Sequence, residues 1–474
     1  MYLRQVYDPH LAQYAYVIGC QKTGEAIVID PLRDVAQYHA IAEAEGLRLS
    51  AVAETHIHAD FVSGAREFAA DGKMAVFLSA EGGPDWQSEW ARDLPNTHLL
   101  RDGDEFHIGN IKLQAVHTPG HTPEHLCYLV TDEGGGADEP IALVSGDFLF
   151  VGDVGRPDLL EQAAGIAGTQ EAGASQLYQS LKKLRDMPEH LQILPAHGAG
   201  SACGKSLGAV PVSTLGYEKK FNHALKLALN GTEESFVKFI LEGQPEPPLY
   251  FANMKRVNKL GPAILGEAPA PPRVALTEVS ERLTEPGFVV LDARSDRKAF
   301  ISGHLQGSLY APAKGDFSGL AGSYLMPEET VVLVVDSEDQ VSGLTTQLRR
   351  IGFDHIAGWL SANELAKAGW GTLRDVPTVT FSELHELIQG EPTMRILDVR
   401  RAGEFAAGHL RGAVNIAHTR LRARSTELAK EAPLVVHCQS GNRAAAAVAW
   451  LQREGRRVYF VDDSFKNVPI ALLA

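Results

Sequence analysis

Two sets of side chains in this sequence have the types and spacings that metal-assisted and thiol chemistry require. The first is Glu54-Thr55-His56-Ile57-His58-Ala59-Asp60-Phe61, where two imidazoles and a carboxylate alternate just past the apolar stretch Leu49–Ala53. Three further candidates follow, each after an apolar stretch: His121 in Thr118-Pro119-Gly120-His121-Thr122, Asp147 in Ser145-Gly146-Asp147, and His197 in Pro195-Ala196-His197-Gly198. A lone histidine is usually a surface or core residue. Four such segments, each at the end of a strand, describe a sheet whose loops gather at one end around a metal. His117 and His125 flank the second segment and read as ordinary loop histidines.

The second set is Leu434-Val435-Val436-His437-Cys438-Gln439-Ser440-Gly441-Asn442-Arg443: an apolar strand, a cysteine, a short polar loop and the start of an Ala-rich helix. A cysteine there faces backbone N–H groups and the positive end of the helix dipole. Both favour the thiolate, which is the nucleophile, and Arg443 adds a cation at the far end of the loop. The result is a cradle for a small anion. Cys20 and Cys127 lie in apolar strands and read as core, while Cys203 is close in sequence to His197.

These residues need a framework, and length and composition allow one. A chain of 474 residues, 45% hydrophobic and 22% charged, suits about three globular domains at roughly 150 residues each. The net charge of -15 argues against nucleic acid or anionic membrane as the main partner, because both attract cationic surfaces. Four scattered cysteines form no disulfide framework and fit a reducing compartment. Met1-Tyr2-Leu3-Arg4-Gln5 has no apolar signal core, and no run of about 18 apolar residues occurs, so a cytoplasmic location is expected.

Up to about residue 240, strand-like and helix-like segments alternate. Ala15–Cys20 and Glu25–Asp30 are strands joined by a turn at Lys22-Thr23-Gly24; Val35–Glu45, Glu171–Arg185 and Tyr217–Leu229 have helical spacing; Gly134-Gly135-Gly136 is a hairpin tip. The Pro-rich stretch Gly266–Pro272 marks a domain boundary. Beyond it the sequence repeats. Phe288–Arg294 matches Met394–Arg400, Gly303–Gly307 matches Gly408–Gly412, and Thr330–Val335 matches Pro433–Val436, at an offset of about 105 residues. Short apolar strands alternating with helices imply two small α/β domains, each a parallel sheet with helices on its faces, joined near Gly371–Pro377. In the first copy Ser337 stands where Cys438 sits, and Glu338 and Asp339 repel an anion, so only the last copy carries thiol chemistry. The expected domains are residues 1–265, 273–372 and 376–474.

The ordered His/Asp segments resemble the metal motifs of the metallo-β-lactamase superfamily over roughly Met1–Gly243, which implies an αββα sandwich and an α/β multidomain chain. That pattern has a histidine after the aspartate of the first motif, where this chain has Phe61. Phenylalanine has no lone pair to donate, so a second metal loses a ligand and one metal remains. Resemblance to the persulfide dioxygenase branch then implies His56, His121 and Asp147 as ligands of a single Fe(II), the two-imidazole, one-carboxylate set of non-haem iron oxygenases. His58, Asp60 and His197 are implied as hydrogen-bonding support, with direct ligation the alternative for each. Gly152–Leu159 is similar to the stretch after the metal aspartate in that branch, implying that Arg156 contacts the carboxylate or phosphate of a thiol carrier; a supporting pair with Asp158 is the alternative. Ser201–Gly208 and Tyr217-Glu218-Lys219 also look like this family. Cys203 either faces the metal pocket and binds a persulfide or is a buried structural thiol. Pro247–Lys255 resembles the C-terminal wrap near the substrate entrance.

Thr378–Ala474 resembles a rhodanese domain, with Asp398, Arg400 and His409 in its upstream motifs and Cys438 and Arg443 as its catalytic pair. The tail Val461-Asp462-Asp463-Ser464-Phe465 departs from the usual glycine-rich ending. Phosphatases use a similar loop, but the four residues between Cys438 and Arg443 resemble the shorter, sulfur-transferring type. Together the resemblances imply oxidation of a low-molecular-weight thiol persulfide (of glutathione, coenzyme A or similar) by O2 to sulfite. A sulfurtransferase would then interconvert persulfide plus sulfite with thiosulfate. The alternatives are a zinc thioesterase resembling glyoxalase II with a sulfur-carrier module, and a non-catalytic persulfide carrier or sensor. A homo-oligomer, dimer or tetramer, is expected.

Overall fold

Strand β2 (Gln13–Cys20) is buried at every position, as a strand covered on both faces must be. Its side chains alternate between two layers: Tyr14, Tyr16, Ile18 and Cys20 enter one core, Ala15 and Val17 another. The computed structural model describes residues 1–159, 161, 168–365, 367 and 373–474. They divide into two units, Met1–Gln244 with Phe251–Glu267, and Pro245–Tyr250 with Ala268–Ala474.

In the first unit β2 pairs into a six-stranded sheet with β1 (Tyr2–Asp8), β3 (Glu25–Ile29), β4 (Arg48–Ala53), β5 (Ala75–Ser79) and β6 (Thr97–Leu100), in sequence order. A second sheet runs β12-β11-β10-β9-β8-β7, from β7 (Glu105–Ile108), β8 (Ile111–His117), β9 (Leu126–Asp132), β10 (Ala142–Gly146), β11 (Gln192–Pro195) and β12 (Ser213–Thr214). Tyr16, Ile18 and Ile27 of the first sheet meet Leu113, Tyr128 and Val144 of the second in a shared core. Each such buried side chain contributes about 1.5–3 kcal/mol. Tyr38, Ala42 and Phe68 cover the outer face of the first sheet, and Leu177, Leu181, Ala224 and Phe236 that of the second. This is an αββα sandwich. The loops after β4, β8, β10 and β11 carry His56 to Asp60, His121, Asp147 and His197. Parallel pairing of β10 with β11 sends two of these loops off the same edge.

The helix expected over Tyr217–Leu229 is two helices, Leu215–Phe221 and His223–Asn230. The break is at Asn222, whose side-chain oxygen accepts from Leu225 N–H at 3.1 Å and whose amide donates to the Asp153 carbonyl at 2.9 Å. That residue caps the second helix and ties it to the segment after Asp147.

The second unit holds two sheets of the same order. β15 (Leu309–Tyr310), β13 (Phe288–Asp292), β16 (Thr330–Val335) and β17 (Ile356–Ser361) run β15-β13-β16-β17. β21 (Val414–Asn415), β20 (Arg395–Asp398), β22 (Leu434–His437) and β23 (Val458–Val461) repeat that order, with β19 (Thr378–Val379) added at the edge. The equivalence reaches single hydrogen bonds. Arg294 grips Asp292 and the Gly303 carbonyl at 2.8 Å, and Arg400 grips Asp398 and the Gly408 carbonyl at 2.8 Å.

Pro245–Tyr250, read from sequence as part of the first domain, groups with the second unit. The cause is local bonding: Glu246 accepts from Ala402 N–H at 3.0 Å and from the Thr419 hydroxyl at 3.2 Å, and the Tyr250 ring packs on Gly322. At the expected join, Gly371 and Thr372, the latter the end of the expected middle domain, lie outside the described residues. Among the described residues no helix is long and apolar enough to cross a membrane.

Candidate functional site

His56, His121 and Asp147 come together from three loops, each offering a donor atom within 4.8 Å of the others, and all three are buried. His56 Nε2 and both Asp147 oxygens have no hydrogen-bond partner. Buried polar atoms are nearly always paired, and leaving one bare costs on the order of 1–3 kcal/mol. His121 Nε2 lies 3.4 Å from Asp147 Oδ2 without hydrogen-bonding geometry. Atoms aimed at a common cation give this pattern, so the residues fit a metal. Burial lowers the pKa of His56 well below its ordinary value, with neighbouring imidazoles adding to the effect, and takes His121 down to about 4. Both rings are therefore neutral, with lone pairs available.

The tautomers are set from behind. His121 Nδ1 donates to the Arg156 carbonyl at 2.9 Å, which leaves Nε2 bare. His56 Nδ1 donates to Thr55 Oγ1 at 2.9 Å, and that hydroxyl donates to Asp30 Oδ2 at 2.8 Å. Such partners orient a ligand and raise its basicity. Asp147 N–H donates to His125 Nε2 at 3.0 Å, so His125 is a buried support of the site rather than the ordinary loop histidine that sequence suggests. Gly146 makes that approach possible: its φ is +52°, and a Cβ there would meet His125 Nε2 at 2.6 Å. Sequence reasoning also missed Asn258, whose amide donates to the His58 and Phe61 carbonyls at 2.8 and 2.7 Å and so clamps the first metal loop.

His58 turns away from the three donors, its Nε2 lying 2.7 Å from Glu54 and 3.2 Å from Asp30. Those two carboxylates raise its pKa well above the ordinary value against the opposing effect of burial. Asp60, His197 and Cys203 form a second group with mutually close donors, His197 Nε2 lying 3.2 Å from Asp60 and 3.3 Å from Asp147. Phe61 is fully buried, with its ring centroid 4.2 Å from that of His58.

In the second unit Cys438 is 2% exposed and its sulfur accepts from the backbone N–H of Gly441 at 3.1 Å and of Ala444 at 3.4 Å. Arg443 lies beside it, held by Glu404 through two bonds of 2.6 and 2.8 Å. A strand-loop-helix with converging N–H groups and an adjacent guanidinium stabilises negative charge on that sulfur. His418 is buried nearby, and burial, aided by Arg443 and Arg401, takes its pKa down to about 3. The corresponding loop of the first repeat puts an exposed Ser337 in this position.

Residues 9–197 match the metallo-β-lactamase superfamily, and residues 380–469 match the rhodanese-like domain. The crystal structure of a metallo-β-lactamase from Staphylococcus aureus subsp. aureus COL is 40% identical to this chain. The likeness covers 76% of this chain and 99% of that one, with a TM-score of 0.66. The chain belongs to the metallo-β-lactamase superfamily. The mitochondrial persulfide dioxygenase ETHE1 of Bos taurus is 29% identical over 240 residues, 50% of this chain and 79% of its own length. A human hydroxyacylglutathione hydrolase-like protein is 30% identical over 184 residues, 39% of this chain and 55% of its own length.

Within the metallo-β-lactamase domain two expectations change or sharpen. Arg156, expected at the carrier, is 1% exposed. Its guanidinium is committed to Asp158 at 2.8 and 2.6 Å and to the Ala202 carbonyl at 2.9 Å. Buried and bonded in this way, it makes the supporting pair with Asp158 that was the alternative reading. Cys203 faces Asp60 and His197 at the metal pocket, with its thiol pushed well up by burial and by the neighbouring carboxylates. Beside Gly120, the neighbour of His121, opens a cavity of ≈ 620 Å³ lined by Trp86, Pro123, Gln176, Lys255 and Arg256 among others.

Proposed function

We propose that the metallo-β-lactamase domain is a mononuclear Fe(II) persulfide dioxygenase and that the Cys438 domain is its sulfurtransferase partner. The observation that carries this reading is the convergence of His56, His121 and Asp147, with His56 Nε2 and both Asp147 oxygens unpaired, and with Phe61 standing where the superfamily motif for a second metal has a histidine. Two imidazoles and one carboxylate on one face suit ferrous iron better than the closed tetrahedral site of structural zinc. When bound there, Fe(II) would supply the activation of O2 for attack on a persulfide sulfur. The protein's part is to hold neutral imidazoles in one tautomer, through Thr55–Asp30 and the Arg156 carbonyl, and to exclude water by burying all three ligands. Asp60, His197 and Cys203 line the same pocket and orient what enters it.

The overall reaction is RSSH + O2 + H2O giving RSH and sulfurous acid, which ionises to sulfite. The carrier thiol R occupies the cavity beside Gly120, where Lys255 and Arg256 meet its anionic groups. At the second unit, Cys438 persulfide and sulfite give free Cys438 and thiosulfate, or the reverse. Residues 273–372 form an inactive rhodanese repeat, followed by the active one at 376–474. Linking both sites in one chain raises the effective concentration of the shared intermediates.

The test is metal analysis of anaerobically purified protein, followed by O2 uptake and product analysis with glutathione persulfide and coenzyme A persulfide. The reading expects about one iron per chain and sulfite or thiosulfate as product, with Cys438→Ser retaining O2 uptake and losing thiosulfate. Hydrolysis of an acyl-glutathione thioester without O2 uptake would instead support the zinc thioesterase reading that the hydrolase relative favours.

A further inference from the structure

The loop that carries Cys438 is held by its carbonyls. The Gln439 carbonyl accepts from Phe465 N–H at 2.9 Å, and the Gly441 carbonyl accepts from Ala445 N–H at 2.8 Å. Between them, the Ser440 carbonyl accepts from a side chain, Arg297 Nη1, at 2.8 Å. Arg297 belongs to the first repeat, at the start of the helix Arg297–Ser302. Its guanidinium also donates to Asn442 Oδ1 at 3.0 Å and pairs with Asp462 at 2.6 Å. It sits close against the loop backbone: a Cβ on Gly441 would sit 2.5 Å from Arg297 Cζ.

The geometry of one peptide unit gives these contacts a consequence at the sulfur. Ser440 C=O and Gly441 N–H are the two ends of the same planar trans amide, so they point in opposite directions. Gly441 N–H donates to Cys438 Sγ at 3.1 Å. Whatever fixes the carbonyl outward therefore fixes the N–H inward. Gly441 has a φ of +104°, in the region where glycine moves freely, so without a hold this amide can turn its N–H away from the cysteine.

We propose that Arg297 of the first repeat is a positioning residue for Cys438: by holding the Ser440–Gly441 peptide it keeps an N–H donor on the reactive sulfur, and the thiol site is complete only when both repeats are present. The repeat that carries Ser337 in the cysteine's place then has a defined task, which is to present Arg297 to its twin. His304, also of the first repeat, bonds Gln452 at 3.0 Å, and Arg453 of the second bonds the Gly307 carbonyl at 3.0 Å. These contacts seat the two repeats so that Arg297 meets the loop.

The activity arm of the test rests on the sulfurtransferase reading of Cys438; the chemical arm does not. In the full-length protein, alkylation of Cys438 by iodoacetamide at fixed neutral pH is followed by peptide mass spectrometry, and thiosulfate-dependent sulfur transfer is measured beside it. Arg297→Ala is expected to slow both Cys438 alkylation and kcat for transfer about tenfold, the scale of one hydrogen bond to a charged group. KM for thiosulfate should stay within about twofold. Arg297→Lys, which can still reach the Ser440 carbonyl, is expected to recover most of the loss. Parental alkylation and kcat in Arg297→Ala would overturn the proposal. So would faster alkylation of Cys438 in both variants, the result of a loosened repeat contact. If Cys438→Ser retained transfer, the sulfurtransferase reading would fail, and the alkylation series would still decide the role of Arg297.

Discussion

At the scale of single residues, the group formed by His56, His121 and Asp147 depends on side chains outside it. Thr55 accepts from His56 and donates to Asp30, so Thr55→Ala leaves His56 free to rotate and to take the wrong tautomer. A loss of about 10–100-fold in metal affinity is expected, as for other partners of metal-bound histidines, and competition with a chelator measures it. Phe61 makes the converse case. Its replacement by histidine restores the residue type that the superfamily motif has after Asp60, and metal analysis of Phe61→His should rise from about one ion per chain toward two. An unchanged stoichiometry would mean that Phe61 is not what keeps the second position without metal. Arg156 distinguishes support from recognition. Arg156→Ala leaves Asp158 buried without its cation, a loss of about 3–5 kcal/mol, so denaturant unfolding should shift strongly. A carrier contact would raise KM and leave stability alone.

At the scale of elements, what was legible in the sequence was what periodicity and residue type encode locally. The strands, their apolar alternation and the ordered His/Asp loops appear in the sandwich as expected, and the internal repeat reappears down to the Asp292–Arg294 and Asp398–Arg400 pairs. What was not legible depends on which strands and helices become neighbours. Asp30 closes β3 with a φ of +52°, and its importance to His56 follows from the parallel pairing of β3 with β4. An acidic residue ending an apolar strand was the available signal. Asn258 acts on a loop about 200 positions away, and nothing in its own segment announces that. The helix Phe251–Leu260 that carries Asn258 also brings Lys255 to the cavity, its ammonium 3.3 Å from the centre of the Trp86 ring. Burial lowers the Lys255 pKa to about 8, with Glu124 pulling the other way. Lys255 thus loses its charge as pH rises through about 8. The KM for an anionic carrier persulfide should climb over that range, and Lys255→Ala should raise it about tenfold at pH 7 while removing the climb. Steady-state O2 uptake across pH 7–9 checks both.

For the whole molecule, both units hold buried neutral histidines that charge when the chain unfolds in acid. In the second unit, burial lowers His437 to about 4, and burial with two arginines lowers His418 to about 3. Unfolded, both titrate near 6.5. The unfolded chain therefore binds more protons between those values, and the stability of this unit falls as pH drops from about 6.5 toward 4. At pH 5 each histidine accounts for at most about 2 kcal/mol. In the first unit burial works both ways: it lowers His125 well below its ordinary value, which destabilises in acid, and raises Glu124 to about 7. At Glu124 the folded state holds the proton more tightly than the unfolded chain, so this group stabilises below about 4.5, and its contribution is lost as pH rises through about 7. Calorimetry should accordingly show the melting of the second unit moving to lower temperature as pH falls from 7 to 5. His418→Gln should reduce that fall by removing a group that must charge on unfolding. If the second unit kept its melting temperature from pH 7 to pH 5, the neutral, buried state assigned to His418 and His437 would be wrong. The arrangement around Arg443 and Glu404 would then need a charged imidazole.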